Sequence, residues 1–338
     1  MFRTVAELEQ KLSEPSPALV EGLKALEGDI LILGVSGKMG PTLAQMAVRA
    51  ANLAGKGQKV YGAARFSNPE ERNKLQAAGV ETIALDLLHD DLSVLHPAPN
   101  VIYMVGHKFG TTGREHVAWA VNTYTAGRVA EALKGRRVVV FSTGNVYPLT
   151  PVTMGGATET HPPGPVGEYA QSCLGRERLF QWAAAEFDTQ VLIYRLNYAI
   201  DLRYGVLCDI AQAVYAGKSV DLNMGHVNVI WQGDANERAL RSLLHAAKPA
   251  KILNVTGPEI LSVRWIAEEF GRRFGKEVLF TGEEQPTALL RNAQESMRLF
   301  GYPRVSVHEM LDWTAEWIRQ GMPLLNKPTH FSERKGAF

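Results

Sequence analysis

The sequence predicts an α/β protein built on a doubly wound parallel sheet, and two observations support that prediction. From Asp29 to Arg195, short apolar runs alternate with helical stretches, which is the pattern of consecutive βαβ units. A glycine-rich turn also lies directly between the first strand and the first long helix, as in sheets that bind a nucleotide at their carboxyl edge.

The strands are expected where the chain is continuously apolar, because a parallel strand is buried on both faces. The predicted strands are Asp29–Leu33, Lys59–Ala64, Glu81–Leu85, Val101–Val105, Arg137–Ser142 and Gln190–Arg195. The helices between them are predicted over Pro41–Ala54, Pro69–Ala78, Val117–Leu133 and Tyr169–Phe187.

The glycine-rich turn has the spacing Gly34-x-x-Gly37-x-x-Gly40. Gly34 permits a tight turn, Gly37 lets the backbone approach a pyrophosphate, and Gly40 allows close packing of helix on strand. The phosphates would lie at the helix N-terminus. A plain βα turn without a ligand is the alternative. The remaining predicted contacts of this turn are Ser36, Lys38 and Met39.

The end of the second strand bears on the choice of nicotinamide cofactor. An acidic side chain there would bind a ribose 2′-hydroxyl, whereas an arginine would suit a 2′-phosphate. The segment reads Ala63-Ala64-Arg65-Phe66-Ser67 and contains no acid. We therefore expect NADP, bound by Arg65 with help from Lys38, and keep NAD as the alternative. Arg65 could instead stack on the adenine or be a solvated surface charge.

Four segments follow from these patterns. Residues 1–28 form a short polar arm, in which Val5–Leu12 has helical spacing. Residues 29–198 form a Rossmann-type NAD(P)-binding domain. Residues 199–326 form a smaller C-terminal α/β substrate lobe, interleaved with the first domain, and residues 327–338 a polar tail. The predicted elements of the lobe are the strands Val227–Trp231 and Lys251–Val255 and the helices Asp209–Ala216, Asn236–Ala247, Val263–Phe274 and Val307–Gln320.

Composition excludes several classes of function. The net charge of +1 over 338 residues gives no electrostatic basis for binding nucleic acid. No apolar stretch is long enough for a signal peptide or a membrane span, so no membrane partner is expected. Two cysteines make no disulfide framework, which favours a cytoplasmic protein. No metal site is predicted.

Two further segments resemble the extended short-chain dehydrogenase/reductase superfamily, which includes the NAD-dependent epimerase/dehydratase family. They are Tyr169-x-x-Ser172 followed by Glu177, and Ser142-Thr143-x-x-Val146-Tyr147. The resemblance covers about residues 29–320. It implies that Thr143 and Tyr169 act on the substrate oxygen, Tyr169 as acid/base. It also implies a bracing role for Asn122 and cofactor contacts from Asp86, Leu87, Val105, Tyr169 and Asn197.

The family's active-site lysine is replaced here by Cys173. A neutral thiol can neither lower the tyrosine pKa nor hold the nicotinamide ribose. Three outcomes follow: the fold has kept binding but lost redox chemistry, Cys173 is itself a reactive thiol, or a cation from elsewhere replaces the lysine. Lys108, after the fourth strand, is the predicted replacement, and the adjacent His107 is a second acid/base candidate.

The substrate is the least specified part of the prediction. Dehydratases of the family usually carry an Asp-Glu pair where this chain has Gly144 and Asn145. An epimerase or a dehydrogenase/reductase acting on a sugar, nucleotide sugar or sugar acid therefore remains, with a catalytically silent NAD(P)-binding sensor or scaffold as the alternative. Family analogy also predicts a homodimer that pairs the helices 117–133 and 169–187. The predicted substrate contacts are His107, Lys108, Asn145, Arg195, Tyr198, Asn228 and Trp231.

Overall fold

The computed structural model describes residues 2–110, 113–327 and 329–337, and it confirms the doubly wound parallel sheet. The seven strands run in the order β7-β6-β5-β4-β1-β2-β3, and every neighbouring pair is parallel. The order reverses between β1 and β4, and ligands of such sheets bind at the carboxyl edge beside this point. The strands are β1 (Ile30–Leu33), β2 (Val60–Ala64), β3 (Glu81–Ala84), β4 (Asn100–Tyr103), β5 (Arg137–Thr143), β6 (Gln190–Leu196) and β7 (Lys251–Val255).

Helices cover both faces of the sheet because alternate residues of each strand point to opposite sides. Ile30 and Ile32 of β1 pack against one layer of helices, and Leu31 and Leu33 pack against the other. The helices are α1 (Val5–Leu12), α2 (Pro17–Ala25), α3 (Gly40–Ala54), α4 (Pro69–Ala77), α5 (Glu115–Trp119), α6 (Thr125–Ala132), α7 (Gly167–Glu186), α8 (Val206–Tyr215), α9 (Gln232–Arg241), α10 (Val263–Phe274), α11 (Gln294–Phe300) and α12 (Val307–Arg319). Short 3-10 turns occur at Leu92–Val94, Gly144–Val146, Val152–Met154 and Ser242–His245.

A second apolar cluster joins helices α8, α10 and α12 and lies beyond the carboxyl edge of the sheet. It includes Leu8 and Leu12 of α1, so the N-terminal segment packs on this cluster. The predicted strand Val227–Trp231 is interrupted, and its two ends pair with different partners. The two-residue strand pairs are Thr150–Pro151 with Thr287–Ala288, Ala199–Ile200 with Ile230–Trp231, Val220–Asp221 with Phe280–Thr281, and His226–Val227 with Leu261–Ser262.

Helix α2 was not predicted from the sequence. Pro17 lies in the first turn of α2, where a missing N–H costs nothing. The Ser16 side chain caps the helix by accepting a hydrogen bond from the Leu19 N–H at 3.1 Å. Leu19 and Leu23 are buried in the main core, so this part of the N-terminal segment packs against the sheet domain.

The predicted helix Val117–Leu133 contains an irregularity that the sequence did not reveal. Between α5 and α6 the residues Ala120–Tyr124 form a π-helical turn. Such turns hold an extra residue and often occur at functional sites. Asn122 lies within this turn and is fully buried.

The described residues contain neither a helix that could span a membrane nor a cluster of metal ligands. Within 2–110, 113–327 and 329–337, no helix combines the length and apolar character required to span a bilayer. The same ranges contain no group of three or more His, Cys, Asp or Glu residues that could hold a metal ion. Both cysteines are free and buried.

Candidate active site

The glycine turn after β1 forms a cradle, and side chains in place of its glycines would fill this space. Gly34 has a φ of +85°, which favours glycine. A Cβ atom on Gly40 would lie 2.2 Å from the Val35 carbonyl oxygen, so only glycine lets α3 begin so close to the strand. No side chain caps the N-terminus of α3, which leaves its first N–H groups available to a ligand. These features fit the pyrophosphate of a dinucleotide.

The charged residues around the cradle are placed as follows. The Nζ of Lys38 lies 3.5 Å from the centroid of the Tyr204 ring. Both residues, together with Met39, line the cleft described below. Ser36 lies in the turn itself. Arg65 is exposed at the end of β2, in a position open to a ligand's ribose.

Three of the cofactor contacts implied by the resemblance, Asp86, Leu87 and Val105, also have contacts within the protein. The Asp86 carboxylate accepts a hydrogen bond from the Leu88 N–H at 2.9 Å, the arrangement of a capped turn. Leu87 is buried in the core. The Val105 side chain lies against the glycine turn, 3.1 Å from where a Cβ on Gly34 would be.

The structure brings Thr143 and Tyr169 together. Both side chains line one cleft, and Cys173 packs in the same apolar cluster as Tyr169. The Thr143 hydroxyl contacts the Asn145 side-chain oxygen at 3.1 Å. Burial raises the pKa of Tyr169, Cys173 raises it further, and the charge of Arg176 opposes both.

A buried carboxylate holds α7 against the sheet beneath this pair. Glu177 accepts hydrogen bonds from the Ser142 hydroxyl at 2.5 Å and from Arg195 Nε and Nη2 at 2.9 and 2.6 Å. Arg195 is 1% exposed. The structure thus gives the Arg195 guanidinium a protein partner, and this predicted substrate contact does not reach the cleft surface.

Asn122 fixes the loop that follows β4. Its side-chain amide donates to the His107 carbonyl at 2.9 Å and accepts from the His107 N–H at 2.8 Å. The same amide nitrogen donates to the Ser172 hydroxyl at 2.9 Å. Burial, followed by the charges of Arg114 and Arg65, lowers the pKa of His107.

Lys108 lies beside the candidate acid/base. Its Nζ is 5.8 Å from the centroid of the Tyr169 ring and 5.2 Å from that of Phe109. Burial lowers the pKa of Lys108 to about 8, while Cys173 and Asp209 oppose that change. At neutral pH a positive charge therefore stands next to Tyr169.

These groups surround a cleft of about 180 Å³. The C-terminal tail also borders it: Thr329 donates from its N–H and its hydroxyl to Asp209 Oδ2, at 2.8 and 2.6 Å. The sequence predicted only a polar tail over residues 327–338, with no reason to place it at the cleft. The cleft is lined by Lys38, Met39, Lys108, Ser142, Thr143, Asn145, Tyr169, Leu196, Asn197, Tyr198, Ala199, Tyr204, Gly205, Val206 and Thr329.

Two other predicted substrate contacts lie away from the cleft. Asn228 is buried, donates to the Glu259 carbonyl at 2.9 Å and accepts from the Arg291 N–H at 2.8 Å. Trp231 is 1% exposed and belongs to the apolar cluster of the small lobe. Asn197, a predicted cofactor contact, does line the cleft, as do Asn145 and Tyr198.

Arg176 was missed by sequence reasoning. It is buried on α7 and donates to the Phe141 carbonyl at 2.8 Å, to the Asn122 side-chain oxygen at 2.8 Å and to the Asn122 carbonyl at 3.3 Å. Its position seven residues after Tyr169 was the available signal, since helix residues at i, i+4 and i+7 share a face.

Comparisons with known proteins agree with this geometry. A sequence model described as the NAD dependent epimerase/dehydratase family matches residues 30–222, more than half of the chain. None of the curated proteins compared matches the sequence. Many solved structures do match. One is UDP-glucuronic acid 4-epimerase from Bacillus cereus in complex with NAD, at 19% identity and a TM-score of 0.70 over 86% of this chain and 99% of that one.

Two further solved structures are similar. MoeE5 in complex with UDP-glucose and NAD shares 19% identity with a TM-score of 0.69, over 87% of this chain and 99% of that one. UDP-glucose 4-epimerase from Thermotoga maritima shares 16% identity with a TM-score of 0.67, over 87% of this chain and 99% of that one. At these identities the likeness concerns the fold.

Proposed function

Because the chain belongs to the NAD dependent epimerase/dehydratase family, we propose that it moves a hydride between a nicotinamide cofactor and a carbinol or ketone carbon of a sugar, nucleotide sugar or sugar acid. The observation that carries this proposal is that Thr143 and Tyr169 line the same cleft. Both line a cleft shared with Lys38 and Met39 of the glycine turn.

In this proposal the two hydroxyls hold the substrate oxygen. Thr143 donates a hydrogen bond to it, and Tyr169 gives or takes its proton as the carbon changes between carbinol and ketone. A bound nicotinamide supplies or accepts the hydride. An epimerase would keep the ketone in the cleft and present its other face, whereas a simple dehydrogenase would release it.

Lys108, in the loop that follows β4, lines the same cleft and supports the same chemistry. Its ammonium, near the Tyr169 ring, would stabilise negative charge on the substrate oxygen or hold an anionic substrate group. His107 is held by Asn122 in the adjoining loop. Asn145 and Tyr198 offer the polar contacts that a sugar hydroxyl requires.

The cofactor itself is a finer proposal. The glycine cradle fits either dinucleotide, and two of the similar structures are complexes with NAD. Arg65 is exposed at the end of β2, and the strand end from Ala64 to Ser67 has no acid. These features support NADP binding, with NAD as the alternative.

The test combines cofactor binding with turnover. NADP and NAD are titrated against the parent chain, Tyr169→Phe and Thr143→Val, and each protein is then assayed for nicotinamide absorbance with a panel of sugars, sugar acids and nucleotide sugars. Loss of the acid/base should lower turnover about 10²–10⁴-fold while the cofactor Kd stays the same. Tyr302→Phe, at an exposed site, is the matched control and should behave as the parent.

A silent NAD(P)-binding protein is the second candidate, and one observation favours it. Cys173 replaces the family's lysine, and burial raises the pKa of Tyr169, which disfavours the ionised base. Tight cofactor binding without turnover on any substrate, unaffected by Tyr169→Phe, would establish this reading and contradict the enzyme proposal.

We also propose a homodimer that pairs α5, α6 and α7 with a second copy. An open apolar groove of about 610 Å³ runs along these helices. Trp119, Tyr124 and Trp182 line it and are exposed large hydrophobic residues, and such patches often mark protein contacts. Gel filtration with light scattering should give twice the chain mass of 37.2 kDa; a monomer at micromolar concentration would contradict the proposal.

A cytoplasmic location completes the proposed function. Both cysteines are free and buried, which suits a reducing compartment. Fractionation of cells that express the chain should place it with cytoplasmic markers.

A further inference from the structure

Cys173 stands where the family has a lysine, so the positive charge that would help Tyr169 act as a base is missing from that position. The structure contains another buried cation on the same helix, Arg176, which the sequence analysis did not single out. Arg176 is 5% exposed. It forms no ion pair with a carboxylate among residues 2–110, 113–327 and 329–337; its hydrogen-bond partners are the carbonyl and amide oxygens of Phe141 and Asn122. Neutral partners satisfy its N–H groups but leave its charge uncompensated.

The position of Arg176 directs that charge at the active site. Tyr169, Cys173 and Arg176 lie on one face of α7, and long helical side chains lean towards the N-terminus. The hydrogen bonds of Arg176 place its guanidinium beside Asn122 and the Phe141 carbonyl, and its charge acts to lower the pKa of both Tyr169 and Cys173. Two contacts show how far the guanidinium reaches: Phe141, two residues before Thr143, accepts from Nη1, and a Cβ on Gly106 would lie 3.1 Å from Nη2.

We propose that Arg176 is a positioning residue that supplies the buried positive charge beside Tyr169, in place of the lysine that Cys173 replaces. The inference rests on the proposed function and names the group that makes Tyr169 usable as a base. It assigns Lys108 to the substrate side of the cleft, where the side chain is partly exposed.

The two cations differ in a way that favours Arg176 for this task. Burial lowers the pKa of Lys108 to about 8, so its charge is lost in the range where a tyrosine ionises. Burial also acts to lower the pKa of Arg176, but the surrounding groups outweigh it and the pKa is raised. An arginine therefore stays charged throughout. The ionisable groups that act on Arg176 are Cys173, Tyr103, Tyr169 and Glu177; those near Tyr169 are Cys173, Arg176 and Lys108.

The test reads the ionisation of Tyr169 directly. A fluorinated tyrosine, whose phenol is more acidic than that of tyrosine, is placed at position 169 in the full chain and titrated by ¹⁹F NMR. Arg176→Gln should raise the titration midpoint by about one pH unit or more, because the charge of Arg176 acts to lower the pKa of Tyr169 and a neighbouring opposite charge lowers a pKa by about 1–3 units. Arg178→Gln, an exposed site on the same helix, is the matched control and should leave the midpoint unchanged.

Two further variants separate charge from structure. Arg176→Lys keeps the charge but loses the planar fork, so its midpoint should stay near the parent's. Arg176→Met also removes the charge and takes the place of Arg176→Gln if that variant does not fold. Cys173→Lys combined with Arg176→Gln should bring the midpoint back down. A midpoint unmoved in Arg176→Gln, raised in Arg176→Lys, or not restored in the double variant would overturn the proposal. The titration needs no substrate, so its result stands apart from the substrate panel.

Discussion

Removing the charge of Glu177 should cost about 3–5 kcal/mol of unfolding free energy, the penalty of leaving a buried partner charge uncompensated. Glu177 is 0% exposed and accepts two hydrogen bonds from Arg195, which is 1% exposed. Glu177→Gln preserves the shape of the side chain, but the Arg195 guanidinium then has no counter-ion. The loss is measured by urea denaturation followed by circular dichroism, with the cofactor absent.

A matched exposed pair provides the control. Lys248 and Asp188 lie 3.1 Å apart with side chains 44% and 87% exposed, so Asp188→Asn should cost less than about 1 kcal/mol. The double variant Glu177→Leu with Arg195→Met removes both charges and should recover most of the loss. A loss below about 1 kcal/mol for Glu177→Gln would refute the reasoning, because it would mean that the Arg195 charge is compensated without Glu177.

Four other outcomes are expected. Gly40→Ala should weaken cofactor binding at least about tenfold by titration, because its Cβ would meet the Val35 carbonyl oxygen at 2.2 Å; unchanged affinity would contradict the cradle. Arg65→Ala should weaken NADP but not NAD binding, and an equal effect on both would remove the 2′-phosphate assignment. Turnover should fall as pH rises through about 8, where Lys108 loses its proton, and this decline should be absent in Lys108→Met. Trp182→Glu should convert a dimer to monomers in gel filtration, and a persisting dimer would place the interface elsewhere.

The strands and the cofactor turn could be predicted because they depend on local sequence. A parallel strand must be apolar along its length, and Ile30–Leu33 is. The spacing of Gly34 and Gly40 reflects contacts within one βα unit. The roles of Thr143 and Tyr169 came from the resemblance to the extended short-chain dehydrogenase/reductase superfamily, and in the structure both residues line one cleft.

What could not be predicted depends on contacts between distant parts of the chain. Arg195 and Glu177 are 18 residues apart, and only the fold shows that each satisfies the other. Arg176 resembled an ordinary helix-surface arginine until its Asn122 and Phe141 partners were known. The bond between Thr329 and Asp209 spans 120 residues, so the polar composition of the tail could not indicate that it borders the cleft.

The π-helical turn Ala120–Tyr124 connects the loop that contains His107 with the exposed groove along α5, α6 and α7. Its inner side presents Asn122 to the His107 loop, while Trp119 and Tyr124 at its ends line the groove. Deleting one residue of the turn would rotate everything beyond it by about 100°, so neither surface can change register alone. If the proposed dimer forms at this groove, substitutions that alter the pairing should therefore also alter cofactor affinity, a thermodynamic linkage built into one turn of backbone.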